Sequence, residues 1–138
     1  MQILKTHVEF CSDLFPQTQS EIEKWGGQIW GEDLAKYLIK QLNQFGVITN
    51  GYVVEDWGYI IYLENEKYQP IWIGCGHYEE YHNGFLIFLN PSQPIIRQWI
   101  FKKINISDQL IELANIIDRI LYQNSNIKQI KWWENHGK

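Results

Sequence analysis

Cysteine is scarce, basic residues are outnumbered, and no long apolar run occurs. Only Cys11 and Cys75 are present, which excludes a scaffold held by several disulfides. The opening MQILKTHVEF carries Lys5, His7 and Glu9 within its first apolar stretch, so it lacks the uninterrupted apolar region of an export signal. Apolar runs such as Val53-Val54 and Gly84 to Leu89 fall far short of the roughly 20 residues a membrane helix needs. The expected location is therefore cytoplasmic, with both thiols reduced and no membrane partner. Lys and Arg number 12 against 16 Asp and Glu, a net charge of −4 without any basic block. That leaves little charge to neutralise phosphates and argues against nucleic acid as a partner. GxSxG, Walker-type GxxxxGK[ST], HExxH and GxGxxG are all missing, which lowers the expectation of catalysis.

What the chain does have is an apolar and aromatic interior. Of its 138 residues 45% are hydrophobic and 15% aromatic, with seven Trp and eight Tyr, and such a composition is that of a folded domain rather than a disordered chain. A domain of this length buries roughly two-thirds of its unfolded surface and needs neither metal nor disulfide to fold. No cofactor is implied. No repeat, low-complexity stretch or linker divides the chain, so residues 1–138 read as one domain.

Periodicity then supplies the elements. Ile3 to Phe10 reads as a first strand, followed by a long loop in which Glu21 to Trp25 can form a helical turn before Gly26-Gly27. Gly31 to Phe45 spaces Leu34, Tyr37, Leu38, Leu42 and Phe45 at three and four residues, which predicts an amphipathic helix. Glu32 and Asp33 complement its dipole, and Gly46 can close it in a left-handed conformation. Val47–Glu55, Trp57–Asn65, Ile71–His77 and Phe85–Leu89 form a predicted antiparallel meander, with His82-Asn83-Gly84 as a hairpin signal. Ile95 to Phe101 is one further candidate strand. Ser107 to about Gln123 predicts a second helix with Ser107 as N-cap, and Ile127 to Trp133 alternates as a closing strand. The order β-α-β-β-β-β-(β)-α-β implies an α+β fold, a mainly antiparallel sheet with two helices packed on one face.

The densest chemistry lies in Ile71 to His82. On a strand, Cys75 and His77 share one face while Trp72, Gly74 and Gly76 take the other. A Cys75 nucleophile assisted by His77 or His82 is one reading, since an imidazole stabilises a thiolate. The competing reading is a buried thiol beside a strand-end histidine, favoured because no orienting Asp or Asn can be assigned. A metal would recruit Cys75, His77 and His82 with Glu79 or Glu80, but C-x-H-x4-H matches no standard zinc spacing, and no metal site is assigned. Gly74 and Gly76 mark close backbone approach or room for an aromatic ring across the sheet. Glu55-Asp56 and Glu79-Glu80 are acidic pairs near strand ends. Acid and base work requires a separation between them that sequence does not give. A non-catalytic reading joins them with aromatics into a partner-binding patch of Glu55, Asp56, Trp57, Tyr78, Glu79, Glu80 and Tyr81. Trp132 and Trp133 must point to opposite sides of their strand, and core packing is the expected role of Trp25 and Trp30, with lining a groove either side of Gly26-Gly27 as the alternative.

The segments Glu55-Asp56-Trp57-Gly58-Tyr59 and Trp72-Ile73-Gly74-Cys75-Gly76-His77-Tyr78-Glu79-Glu80-Tyr81, with the closing Lys131-Trp132-Trp133, resemble those of a set of small bacterial proteins. That set carries E-D-W-G-aromatic, W-I-G-C-G-x-Y-E-E-Y and a late W-W; Tyr59 stands here where the set has Trp. No established activity accompanies the resemblance, which implies a bacterial origin and a stand-alone domain but transfers no catalytic residue. Small size, acidic charge and the missing catalytic signatures together lead to one expectation: a non-catalytic protein-binding domain, most concretely an immunity protein that neutralises a basic toxin domain. A cysteine-dependent enzyme and a small-ligand binder with an aromatic pocket are the alternatives. Oligomeric state and strand order are not legible.

Overall fold

The computed structural model describes residues 4–99 and 102–134. Ile3 of the expected first strand, and Ile100 and Phe101 of the expected strand 95–101, lie outside the described residues. In chain order the elements are β1 (His7–Cys11), α1 (Gln19–Trp25), α2 (Glu32–Gln44), β2 (Thr49–Glu55), β3 (Gly58–Leu63), a 3-10 turn (Glu66–Tyr68), β4 (Trp72–His77), β5 (Gly84–Asn90), β6 (Ile95–Trp99), β7 (Lys102–Asn105), α3 (Ser107–Tyr122) and β8 (Lys128–Trp133).

Six strands form one sheet in the order β2-β3-β4-β5-β1-β8, and every neighbouring pair is antiparallel. The meander β2 to β5 is therefore present as the alternation and turn residues predict. Beyond it, β1 pairs with the last meander strand and β8 closes the edge, both through long-range contacts. The segment after Pro94 departs from the single strand expected. It folds back as a two-stranded ribbon, β6 and β7, outside the main sheet.

Register sorts the residues into two faces. Tyr59, Ile61 and Leu63 of β3, Ile73 and Cys75 of β4, Phe85, Ile87 and Leu89 of β5, and Val8 and Phe10 of β1 are all buried on the inner face. Against them pack Leu34, Ala35, Leu38 and Leu42 of α2 and Leu110, Leu113, Ile117, Ile120 and Leu121 of α3. These are the stripes that the three-and-four spacing places on one side of each helix. The result is a two-layer α+β structure with one core between helices and sheet.

The helix ends follow local rules with one exception. After α2, Gly46 takes φ 82, and Gly46 and Val47 donate their N–H groups to the carbonyls of Asn43 and Leu42, a closing motif that uses the left-handed conformation. At the start of α3, Ser107 is the first helical residue rather than the cap. Its backbone N–H and its hydroxyl both donate to Asn105 Oδ1, at 2.9 and 2.7 Å, so the side-chain acceptor comes from the preceding strand end.

Candidate functional site

The expected helical turn before Gly26 is a full two-turn helix, α1, and it sets one wall of the site. Thr18 and Glu21 make a reciprocal capping box at its start, and Gly26 ends it at φ 62. Glu21 does more than cap its own helix. It is 1% exposed, and its Oε2 accepts from the N–H groups of Gly31 (2.8 Å) and Glu32 (3.0 Å) and from the Tyr59 hydroxyl (2.9 Å). The first free donors of α2, whose Gly31 cap has no side chain, are thus met by a carboxylate from another helix. Glu32 in turn accepts from Thr18 Oγ1 (2.7 Å) and the Tyr52 hydroxyl (2.8 Å). Those two bonds hold the Glu32 carboxyl below the usual glutamate range, because they favour its ionised form. Burial and the bond to Glu32 push Tyr52 up to about 12, and burial with the bond to Glu21 pushes Tyr59 up strongly.

This network fixes the Gly26–Gly31 loop against the end of β4. The His77 N–H donates to the Trp30 carbonyl at 2.8 Å, and the two rings stack at 4.1 Å between centroids with 9° between planes. Trp30 Nε1 donates to the Phe15 carbonyl at 2.8 Å. His77 Nε2 lies 2.9 Å from the His82 carbonyl; since a carbonyl only accepts, that nitrogen carries the proton. The imidazole is thereby held rigid beside the β4–β5 turn. The Tyr78 N–H donates to the Gly84 carbonyl at 2.8 Å, which closes the hairpin that the Asn-Gly signal predicts. Burial and a hydrogen bond to Glu80 push the Tyr78 hydroxyl up.

Three segments then converge: Gly27 to Trp30, the β2–β3 turn and the β4–β5 turn. Between them lies an open cleft of about 680 Å³, lined by Gly27, Gln28, Trp30, Asp56, Trp57, His77, Tyr78, Glu79 and Glu80. Asp56, Glu79 and Glu80 are exposed carboxylates, Trp57 is 44% exposed, and no Lys or Arg is among the lining residues. Five of the seven residues in the sequence-derived patch meet here. Glu55 lines an adjoining groove of about 490 Å³ with Asp56, Lys24 and Trp25. Tyr81 lies elsewhere, in a depression with Cys11, Asp13, Asn83 and Lys128.

Trp25 departs from the core role expected of it, for it is 38% exposed and forms a wall of the groove. Trp30 lines the cleft, the alternative to core packing, because Gly26-Gly27 turns the chain back over β4, and His77 joins it from the end of β4 without being expected there. The Gly-Gly pair was the available signal, but it gives no target for the loop.

Cys75 is fully buried, and desolvation, reinforced by the Glu21 charge, pushes its thiol up to about 12. At neutral pH it is a protonated core side chain opposite Tyr59 and Ile87. His77 shares its sheet face but directs Nε2 to His82, and His82 itself is exposed. Among the described residues no group of three His, Cys, Asp or Glu side chains is placed to hold a metal ion, and no helix is long and apolar enough to cross a membrane.

No family model, curated protein or solved structure matches this chain. The cleft combines exposed carboxylates with no Lys or Arg in its lining, Trp30 and His77 rings held by hydrogen bonds to main-chain carbonyls and by mutual stacking, and an opening wide enough for a side chain or a small cation.

Proposed function

We propose that this is a non-catalytic protein-binding domain whose acidic, aromatic cleft receives a basic partner, most concretely a bacterial immunity protein that neutralises a basic toxin domain. The observation carrying this reading is the convergence of Asp56, Glu79 and Glu80 with Trp30, Trp57 and Tyr78 around one cleft without a basic lining residue. Carboxylates at a cleft raise the encounter rate with a basic surface, and a cation desolvated over Trp or Tyr gains about 0.5–2 kcal/mol more. Rigid aromatics supply contact area at low entropic cost. A carboxylate-rich face can also occupy a site built for phosphate, which is how an acidic protein would block a nuclease.

The test is an affinity pull-down of the tagged chain from its native cells, beside a variant carrying Glu55→Gln, Asp56→Asn, Glu79→Gln and Glu80→Gln. A stoichiometric basic partner, lost in the variant and at high salt, is the expected result. Co-expression with that partner should relieve its toxicity in the wild type and fail to do so in the variant. Absence of any partner with either protein would overturn the reading.

A small-ligand role for the same cleft is the second reading, supported by the exposure of Trp57 beside convergent polar groups. The cysteine-dependent alternative, Cys75 with His77 or His82, has no such supporting geometry, since a thiol raised to about 12 is a poor nucleophile at neutral pH.

A further inference from the structure

The outer face of the sheet, away from both helices, carries an apolar band that crosses all six strands. The register places Trp133, His7, Phe88, Gly74, Ile60 and Val53 in one row from β8 to β2. An antiparallel sheet with one face on the core ordinarily turns polar residues outward. Here the rings pack on one another instead: His7 lies 4.5 Å from Trp133 and 5.4 Å from Phe88, and Trp57 folds over to reach Phe88 at 5.3 Å and Trp72 at 6.3 Å. A Cβ on Gly74 would run into the Phe88 ring, so the glycine is what lets that ring lie flat across the sheet. Val53 and Tyr62 remain 46% and 45% exposed at the β2 side.

The neighbouring row states what fits. It reads Lys131, Glu9, Leu86 and Gly76 from β8 to β4, and continues into the Gly58–Glu55 pair of β3 and β2, where Gly58 lies against Gly76. A cation thus sits at one end and an anion at the other, on the same side of the apolar band. We infer that a second copy of this chain packs on this face, with a twofold axis running along the strands. That axis reverses the strand order between the two sheets. Lys131 of each copy then meets Glu55 of the other and Trp133 meets Val53, with no like charges opposed, while Ile60 and Gly74 are already covered within their own chain. Six strands about 4.8 Å apart, contributing about five residues at 3.4 Å each, present a footprint of roughly 500 Å² per copy. A symmetric pair would bury about 1,000 Å² in total, the size at which specific interfaces begin, at the usual spacing of about 10 Å between stacked sheets. A nucleic acid is a poorer occupant, because Lys131 stands directly across from Glu9 and the band offers no basic track.

Sedimentation velocity over a series of protein concentrations tests this directly. The wild-type chain should shift from monomer to dimer as concentration rises. Lys131→Glu and Glu55→Lys should each weaken association about tenfold, and the double charge reversal should restore it to within about threefold of wild type. Val53→Glu with Tyr62→Glu should abolish the dimer while circular dichroism, and thermal melting at concentrations where the wild type is monomeric, stay native, since both side chains are already exposed. A wild type that stays monomeric at every concentration overturns the proposal. So does a dimer indifferent to Val53 and Tyr62, or a double reversal no better than the single ones. Glu55 is also changed in the pull-down variant, so partner capture by the acidic cleft is measured separately with Asp56→Asn, Glu79→Gln and Glu80→Gln alone, which leave the Lys131–Glu55 contact in place; either result then leaves the other standing.

Discussion

Gly74 and Cys75 are adjacent, yet they meet opposite constraints. Cys75 faces the core and is small enough to fill it as a protonated thiol; Gly74 faces outward and must have no side chain at all. Gly74→Ala should therefore destabilise the chain by about 1–3 kcal/mol, because the Phe88 ring would have to leave its place among Trp57 and Trp72. Urea denaturation would measure it, and a cost near zero would show that the ring moves freely. Alternation along β4 makes the two faces legible in the sequence, and a glycine in a strand signals a ring or backbone close by. Which ring lies there is not legible, since Phe88 becomes the neighbour only when β5 pairs in its particular register. The same holds for Trp132 and Trp133. Opposite directions follow from alternation, whereas the hydrogen bond from Trp132 Nε1 to Asp118 Oδ1 at 2.8 Å and the stacking of Trp133 on His7 depend on what β8 pairs with.

Among the elements, α1 has the largest consequence for its length. Its seven residues would not hold a helix alone, and the stretch has no amphipathic period to announce one. What stabilises it is the capping box and the burial of Glu21, whose carboxylate also closes the start of α2 and holds Tyr59 on β3. Glu21→Gln should cost about 2–3 kcal/mol, as an amide puts an N–H group where only acceptors are matched. Thr18→Ala should cost about 1 kcal/mol, the loss of a cap. Equilibrium unfolding of both variants would check the order, and equal losses would mean that Glu21 acts only within its own helix. The Thr-x-x-Glu spacing is a visible capping signature, but its second use, across to α2, requires the loop path that the fold supplies. The ribbon β6–β7 illustrates the converse. An apolar run after two prolines predicts a strand, and pairing within a hairpin rather than with the sheet is a choice between partners that a single sequence leaves open.

For the whole molecule, the half-buried Tyr52, the buried Tyr59 and the buried Cys75 set an alkaline limit. Tyr52 is pushed from 10.0 to about 12, Tyr59 is raised further, and Cys75 is pushed from 9.0 to about 12. A group whose folded value is raised contributes stability in full below its unfolded value and loses it as the pH climbs toward the folded one. Stability should thus be level up to about pH 9 and fall between there and pH 12. Denaturant midpoints across that range would show the decline, and Tyr52→Phe should flatten part of it. Glu32, held low by its hydrogen bonds, acts in the other direction: its contribution is present above the ordinary value of 4.5 and is lost as the pH falls through its lowered one. A flat profile on the alkaline side would mean that the Glu21 and Glu32 network opens before its phenols ionise.

The sequence by itself determined the class of fold, both long helices with their apolar stripes, the meander, and the nature of the acidic and aromatic residues available for binding. These follow from periodicities of two and 3.6 residues and from turn chemistry, which act over a few neighbours in the chain. Tertiary structure alone decided that β1 and β8 extend the meander, that Glu21 bridges two helices, and that Asp56, Trp57, Glu79 and Glu80 share one cleft with Trp30 and His77. It also separated Tyr81 from that group and gathered His7, Phe88, Trp57, Trp72 and Trp133 onto one outer face. Each of these rests on contact between segments far apart in the chain, where pairing register and loop path fix the neighbours, and local residue patterns carry no term for either.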